Sequence, residues 1–298
     1  MVSENYRQDL PAYRETIIDE IVRALTGSTS GATRILLGPL FRLPAARFAR
    51  IMARADKEIR LAGLPGGARS ILSDFGLEPL VWGAERVPKA GPLVVASNHP
   101  GAYDSLAIMA SVPRPDLKVV ISDVGFTRAL SAAGEHFVYA RNTPAGRAQA
   151  LRMSLRHLAG GGALLIYPHT EVEPDPETGP GAAEAIGEWS RSLEIMLRRV
   201  PRTRLQVAIS SGILLPRFIN SPFVRIRRDP AKRQKLAEFL QVSWQMVFPQ
   251  RVRPRVHLSF AAPVAGSDLP AGRMMPSVVG IARRLLETHL AAVRATAG

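Results

Sequence analysis

The feature that most constrains this chain is an alternation of short apolar runs with longer stretches of helical spacing, from residue 78 to the end. Glu78–Trp82, Pro92–Ala96 (PLVVA), Lys118–Ser122 (KVVIS), His136–Ala140, Ala163–Pro168 (ALLIYP), Leu205–Ile209 and Arg255–Phe260 read as strands. Between and after them, Ser105–Ala110, a turn around Phe126–Ala132, Gly146–Leu158, Ala182–Arg199, Ala231–Met246 and Met275–Ala295 read as helical. Strands separated by helices of this length predict an α/β fold, a mixed sheet flanked by helices on both faces. The stretch Glu171–Gly181, rich in Pro, Gly and acid, reads as a loop. No internal repeat is present.

Ahead of the sheet lies a helical region, residues 1–78, with the sheet-bearing part predicted over 79–298. Residues 12–27 place Ile17, Ile18, Ile21, Val22 and Leu25 at helical spacing, and the cluster Gly27–Gly31 closes the helix. Thr33–Leu61 reads as a second helical region, broken or bent at Pro39 and Pro44, and Ala68–Phe75 as a third. The second carries Arg34, Arg42, Arg47, Arg50, Arg54 and Arg60 among Leu36, Leu37, Leu40, Phe41, Leu43, Phe48, Ile51 and Met52. An apolar helix face bordered by arginines suits a membrane interface. It equally suits a helix packed on its own domain, with the arginines in water.

Charge narrows the class of partner. The formal net charge is +14, carried by 34 Arg and 5 Lys. Such an excess suggests an anionic partner: nucleic acid, an anionic membrane or a phosphorylated substrate. A genome rich in Arg codons produces the same bias. Guanidinium groups suit phosphate because they grip two oxygens at once. Aromatic residues make up 6% and do not alternate with basic ones, so base-stacking platforms are not indicated and nucleic acid is the weaker option. The absence of cysteine excludes disulfides, cysteine metal sites and a cysteine nucleophile in this chain. Gly160–Ile166 and Leu205–Leu215 fall short of the roughly 18 apolar residues that cross a bilayer. The N-terminus, with Glu4, Asp9 and Glu15, does not read as a secretory signal. The expected location is cytoplasmic, peripheral on the inner face of the membrane.

The segment Ser97-Asn-His-Pro-Gly-Ala-Tyr-Asp104-Ser105 directly follows the PLVVA strand. Polar groups beyond the carboxyl end of a strand are where α/β proteins usually build sites. Four residues separate His99 from Asp104 across a loop-to-helix turn, close enough for a hydrogen bond. A carboxylate on one imidazole nitrogen fixes the tautomer and raises the basicity of the other. His99 then suits the role of general base toward a hydroxyl. Spacing alone also fits a helix cap or a metal ligand. His136, His157, His257 and His289 are scattered without ligand spacing.

Here the sequence resembles the glycerolipid acyltransferases, which include lysophosphatidate acyltransferases. NHPGAYDS is similar to that family's N-H-x4-D-S block, and Val81–Leu93 to the G-x-E-N-L-P-x-x-G-P segment before it. His136-Phe-Val-Tyr-Ala-Arg141-Asn lies where the family places a strand ending in arginine. Ala163–Pro168 lies where it has the strand before F-P-E-G-T-R. The resemblance implies that His99 deprotonates an acceptor hydroxyl, that Asp104 orients it, and that the oxygen attacks an acyl-CoA or acyl-carrier-protein thioester. It implies no cofactor beyond that co-substrate and no metal. It casts residues 79–298 as an acyltransferase domain, and the arginine-bordered apolar face in the helical region 1–78 makes an anionic membrane surface the expected partner of that region. Backbone N–H groups around Gly101–Ser105 become candidates for binding negative charge, and Arg141 for an acceptor phosphate.

The third block departs from the pattern. Tyr167-Pro168-His169-Thr170-Glu171-Val172 stands where Phe-Pro-Glu-Gly-Thr-Arg belongs, so the family's arginine is missing. His169, Thr170 and Glu171 are then expected to meet a different acceptor, one without a terminal phosphate monoester. The fourth block, Leu205–Ser211, lacks the family's proline. The alternative is a divergent, non-catalytic member that binds lipids or partners on the same scaffold.

Overall fold

The computed structural model describes residues 5–26, 31–169 and 171–297. Two helices open the chain, α1 (Asn5–Thr26) and α2 (Gly31–Asp74). The sheet-bearing part then runs β1 (Leu80–Trp82), β2 (Leu93–Ser97), α3 (Ala102–Ser111), β3 (Lys118–Ser122), α4 (Gly125–Arg128), α5 (Ser131–Gly134), β4 (Phe137–Ala140), α6 (Pro144–Ala159) and β5 (Ala163–Ile166). It continues through α7 (Ala182–Gly187), α8 (Ser192–Arg199), β6 (Arg204–Ser211), α9 (Pro216–Ile219), α10 (Pro222–Arg225), α11 (Pro230–Val247), β7 (His257–Phe260), β8 (Val264–Ala265) and α12 (Met274–Ala297). The strands form one sheet in the order β1-β7-β6-β2-β5-β3-β4, with β8 also on β6. Pairing is parallel except where β7 and β8 run against β6. The fold is therefore α/β with a mixed sheet and N-terminal helices, as the alternation predicts.

Strand alternation sorts the core into two layers. Leu93 and Val95 of β2, with Ala163 and Leu165 of β5, face one layer, which Ile17 and Val22 of α1, Ala49, Ile59 and Leu72 of α2, and Ala107 and Ile108 of α3 complete. Val94, Ala96, Leu164 and Ile166 face the other, filled by Leu158 of α6, Leu193 and Leu197 of α8, and Val278 and Ala282 of α12. Every residue of β2 is buried, which places the strand that carries the His99 loop at the centre of the sheet.

Three element boundaries differ from the sequence reading. Helix α2 runs through Pro39 and Pro44; its interruption is at Gly63 (φ 69°, ψ −178°), with Pro65 in the first turn of the continuation. A proline there sacrifices no hydrogen bond, because the first N–H groups of a helical segment lack partners anyway. The helix expected over Ala182–Arg199 is divided into α7 and α8, with Trp189 buried between them. The short elements α9, α10 and β8 were not legible in the pattern.

Candidate active site

The turn between β2 and α3 is built to present one imidazole. Asn98 is pinned across the sheet, its amide donating to the Ser210 carbonyl (2.9 Å) and its oxygen accepting from the Ser210 N–H (2.8 Å). His99 follows, and Gly101 leads into α3. Asp104, fully buried in the first turn of α3, accepts from His99 Nδ1 (2.9 Å) and the Gly101 N–H (3.1 Å) on one oxygen, and from Ser105 Oγ (3.0 Å) and Tyr167 Oη (3.2 Å) on the other. A carboxylate so surrounded cannot turn away. Because it only accepts, Nδ1 holds the proton between them and Nε2 is left to meet a substrate. The Tyr167 ring stacks on His99 with centroids 4.2 Å apart, and its hydroxyl also reaches Ser105 Oγ (2.8 Å). Burial, then Asp104, hold the Tyr167 phenol well above its ordinary pKa, so it stays a donor.

Two carboxylates outside the recognised motif grip the same turn. Glu173, 1% exposed, accepts the His99 N–H (2.6 Å) on one oxygen and Trp189 Nε1–H (2.8 Å) on the other, while its own N–H donates to the His99 carbonyl (2.9 Å). Glu238, from α11, accepts the Ala102 N–H and lies against Gly101, where an added Cβ would come within 3.2 Å of its carboxyl. Burial pushes Glu173 upward and carries Glu238 up to about 7. For His99, burial favours the neutral ring, but Asp104, then Glu238 and Glu173, outweigh it and raise the imidazole to about 9.

The structure brings His99, Gly101, Asp104 and Ser105 together. The N–H groups of Gly101 and Ala102, expected to receive negative charge from a substrate, are already occupied by Asp104 and Glu238. Arg141 stands at the end of β4, three strands from β2 and so roughly 14 Å along the sheet. Its guanidinium pairs with Asp123 (2.9 Å). His169 turns its Nδ1 to the Glu171 carbonyl (2.9 Å) and its Nε2 toward Glu188 (3.5 Å). Glu171 pairs with Lys235 on α11 (2.5 Å). Thr170 lies outside the described residues.

The sequence reading passed over Glu173, although a signal for it exists. Acids recur at every second position, Glu171, Glu173, Asp175 and Glu177, in a stretch without helix that ends in a turn at 176–178. Asp175 receives the N–H groups of Gly212, Ile213 and Leu214 (3.0, 2.7 and 3.1 Å), and Glu177 meets Ser211 Oγ and His257 Nδ1 (2.7 Å). The loop is thus fastened to the end of β6. Gly212 has φ 69° there, and an added Cβ would lie 1.9 Å from the Arg255 carbonyl, so only glycine fits. Glu238 carried no comparable signal, since nothing local ties position 238 to position 102.

Residues 79–185 match the acyltransferase family. No curated protein matches the sequence. Among solved structures, the chain is similar to the 1-acyl-sn-glycerophosphate (LPA) acyltransferase PlsC from Thermotoga maritima, with a TM-score of 0.52 at 14% identity, over 82% of this chain and 80% of that one. That likeness bears on the fold; the family match covers the segment with His99, Asp104 and Tyr167. Residues 79–185 are thus similar to the acyltransferase family, and the chain as a whole shares the fold of the PlsC structure.

Proposed function

We propose that the protein is an O-acyltransferase that moves a fatty-acyl group from the thioester of acyl-CoA or acyl-carrier protein to a hydroxyl of a lipid or lipid-like acceptor. His99 is the general base and Asp104 its orienter. The observation that carries this reading is the 2.9 Å bond between His99 Nδ1 and a fully buried Asp104, which leaves Nε2 for the acceptor. In the reaction the acceptor O–H gives its proton to Nε2 as the oxygen attacks the thioester carbonyl. The C–O bond forms, the C–S bond breaks, and the leaving thiolate takes the proton back from the imidazolium. No acyl-enzyme intervenes, in keeping with a chain that has no cysteine.

We further propose that the acceptor lacks a phosphate monoester near its hydroxyl. Three carboxylates, Asp104, Glu173 and Glu238, surround the His99 turn, while Arg141 is paired with Asp123. A phosphate monoester there would meet repulsion rather than a guanidinium. The domain 79–298 would act at the inner face of the membrane, with residues 1–78 against the lipid. A panel of hydroxyl lipids, run with one acyl donor on wild type, His99→Ala and Asp104→Asn, tests the reading. Loss of the base should cost about 10²- to 10⁴-fold in rate, and Asp104→Asn most of it, with circular dichroism unchanged. A folded His99→Ala protein that keeps its rate refutes the mechanism, and lysophosphatidate as the best acceptor refutes the preference. A folded wild-type chain inactive on the whole panel supports the alternative, a non-catalytic lipid- or partner-binding member.

A further inference from the structure

We propose that the sheet-bearing part of the chain meets an anionic bilayer directly, through residues 216–228. Phe223 and Ile226 enter the lipid, and Arg225 and Arg228 rest on its phosphates. The inference deepens the reading above, in which the domain works on a lipid at a membrane, and rests on it. It adds a contact far in sequence from the one expected of residues 1–78.

Local sequence builds a basic projection with apolar tips. Pro216 and Pro222 open the one-turn helices α9 and α10 at the first helical position, where the missing N–H costs nothing. Helices this short do not persist alone. Val224 holds α10 down, buried in a small cluster with Leu214 and with Ala237 of α11. Ile226, just after α10, keeps helical backbone angles, so Phe223 and Ile226, three positions apart, share a face. With Val224 turned inward that face turns outward, and the two side chains are 75 and 76% exposed. From 212 to 228 the chain has no acidic residue and carries Arg217, Arg225, Arg227 and Arg228. Arg217 ties α9 to the domain by donating to the Arg251 carbonyl (2.5 Å). Arg225 and Arg228 are exposed and enter no ion pair among the described residues. The next acid, Asp229, is committed to capping α11, where it accepts the Lys232 N–H (2.9 Å).

The fold sets this projection beside the apolar end of α2. The most exposed large apolar side chains among the described residues are Ile35, Leu36, Leu40 and Leu61 of α2, with Phe223 and Ile226. All but Leu61 gather at one end of α11. Phe41 packs edge-on to Phe239 (5.8 Å between centroids), and Arg47 reaches the carbonyls of Met246 and Val247, so α2 and α11 run in the same direction. Residues 35–40 then lie within about 9 Å of Phe41 along the axis, level with the first turns of α11. Helix α10 precedes α11 by four residues and packs on its other flank, where Val224 meets Ala237. Between the flanks, Gln234 donates to the Pro100 carbonyl (2.8 Å) and Glu238 accepts the Ala102 N–H. Both patches therefore flank the end of α11 that covers the His99 turn.

A bilayer is the occupant that suits this arrangement. Apolar tips ringed by guanidinium groups sink into the acyl boundary while the arginines stay level with the phosphates. Each guanidinium fork grips two phosphate oxygens. One lipid surface touches both flanks of α11 and brings the acceptor hydroxyl to the mouth between them. A protein partner would have to match two separate projections.

Partitioning of the full chain onto sucrose-loaded vesicles tests this, with pure phosphatidylcholine and with phosphatidylcholine containing phosphatidylglycerol. Wild type is compared with Phe223→Ser/Ile226→Ser and Arg225→Ala/Arg228→Ala, all with unchanged circular dichroism. The first double variant should lose about a hundredfold in partition coefficient on both lipids. The second should lose about thirtyfold on anionic vesicles only, with a flatter dependence on salt. Contacts on one chain multiply in the partition coefficient, so these losses appear even with the α2 patch intact. Wild-type partitioning in the Phe223/Ile226 variant overturns the inference. So does acyl-carrier protein that binds wild type and neither variant while vesicle partitioning stays unchanged, which would assign the surface to an acidic protein. Binding is read without donor or turnover. A chain that partitions through these residues but transfers no acyl group therefore supports the contact and refutes the acyl-transfer reading alone.

Discussion

At the residue scale the chemistry turns on which form of His99 is present. Held at about 9 by Asp104, Glu238 and Glu173, the ring is mostly imidazolium at neutral pH, and only the neutral ring accepts a proton. The sign follows directly: kcat/KM should climb roughly tenfold per pH unit above 7 and level off near 9. Glu238→Gln keeps a carbonyl oxygen for the Ala102 N–H but removes one of the negative charges that raise the ring. It should move the rising limb to lower pH by about one unit, so that the variant is faster than wild type at pH 7. A pH–rate profile of both proteins checks this; an unmoved limb would show that Glu238 has no electrostatic hold on the base. Legibility at this scale follows sequence distance. His99 and Asp104 stand out because they lie only five positions apart in one turn, and Ser105 and Gly101 come with them. Glu173, 74 positions from its partner, is visible only as part of an acid alternation whose direction a loop does not announce. Glu238 is visible only once α11 has docked.

At the scale of elements, the docking of α11 is itself unusual. Its inward stripe is Gln234, Glu238, Gln241 and Gln245, spaced by four, three and four, as an apolar helix face would be. These side chains cap main-chain groups of other elements. Gln234 donates to the carbonyls of Pro100 (2.8 Å) and Glu173 (2.5 Å), and Gln245 to that of Phe75 (3.1 Å). Gln241 serves both an Ile213 carbonyl and a Leu215 N–H, each at 2.8 Å. Replacing it by Leu keeps the volume but strands both buried partners, which should cost about 1–3 kcal/mol for each. Urea unfolding should therefore show Gln241→Leu less stable than wild type by at least about 2 kcal/mol, and a loss below about 0.5 kcal/mol would mean that α11 is held otherwise. The same stripe explains what was hard to read. Hydrophobic period finds α11 but assigns it no inner face, and single prolines suggest breaks in α2 that its long packed side overrides. Strands β2 and β5 were the easiest elements to place, because burial on both faces leaves them uniformly apolar.

For the whole molecule, fold class was legible because the alternation of strand and helix is a global pattern that no single residue carries. The use of the charge was not, since a total of +14 says nothing of position. Of the arginines set along α2, Arg34 pairs with Glu15 and Asp19, Arg54 with Asp74 and Arg60 with Asp56, while Arg47 donates to the carbonyls of Met246 and Val247 at the end of α11. The apolar residues of α2 likewise divide. Ala45, Ala49, Met52 and Ile59 enter the core, whereas Ile35, Leu36, Leu40 and Leu43 are 79, 78, 71 and 52% exposed. No helix among the described residues is long and apolar enough to cross a membrane. A four-residue apolar patch on one helix instead suits shallow insertion, and Phe41 of α2 meets Phe239 of α11, the helix that covers the His99 turn. Magnitudes separate the contributions to membrane binding. Each large apolar side chain moved out of water contributes about 1.5 kcal/mol or more, and each arginine near an anionic surface about 1 kcal/mol. With most arginines of α2 engaged internally, the apolar share should dominate. Vesicle flotation should then show binding to anionic lipid that salt weakens without abolishing, measurable binding to neutral lipid, and loss of both in Leu36→Glu/Leu40→Glu with folding intact. Binding to anionic vesicles that vanishes at about 0.5 M salt, where exposed charges are largely screened, and that survives this double substitution would assign the membrane to the arginines and reject the α2 patch.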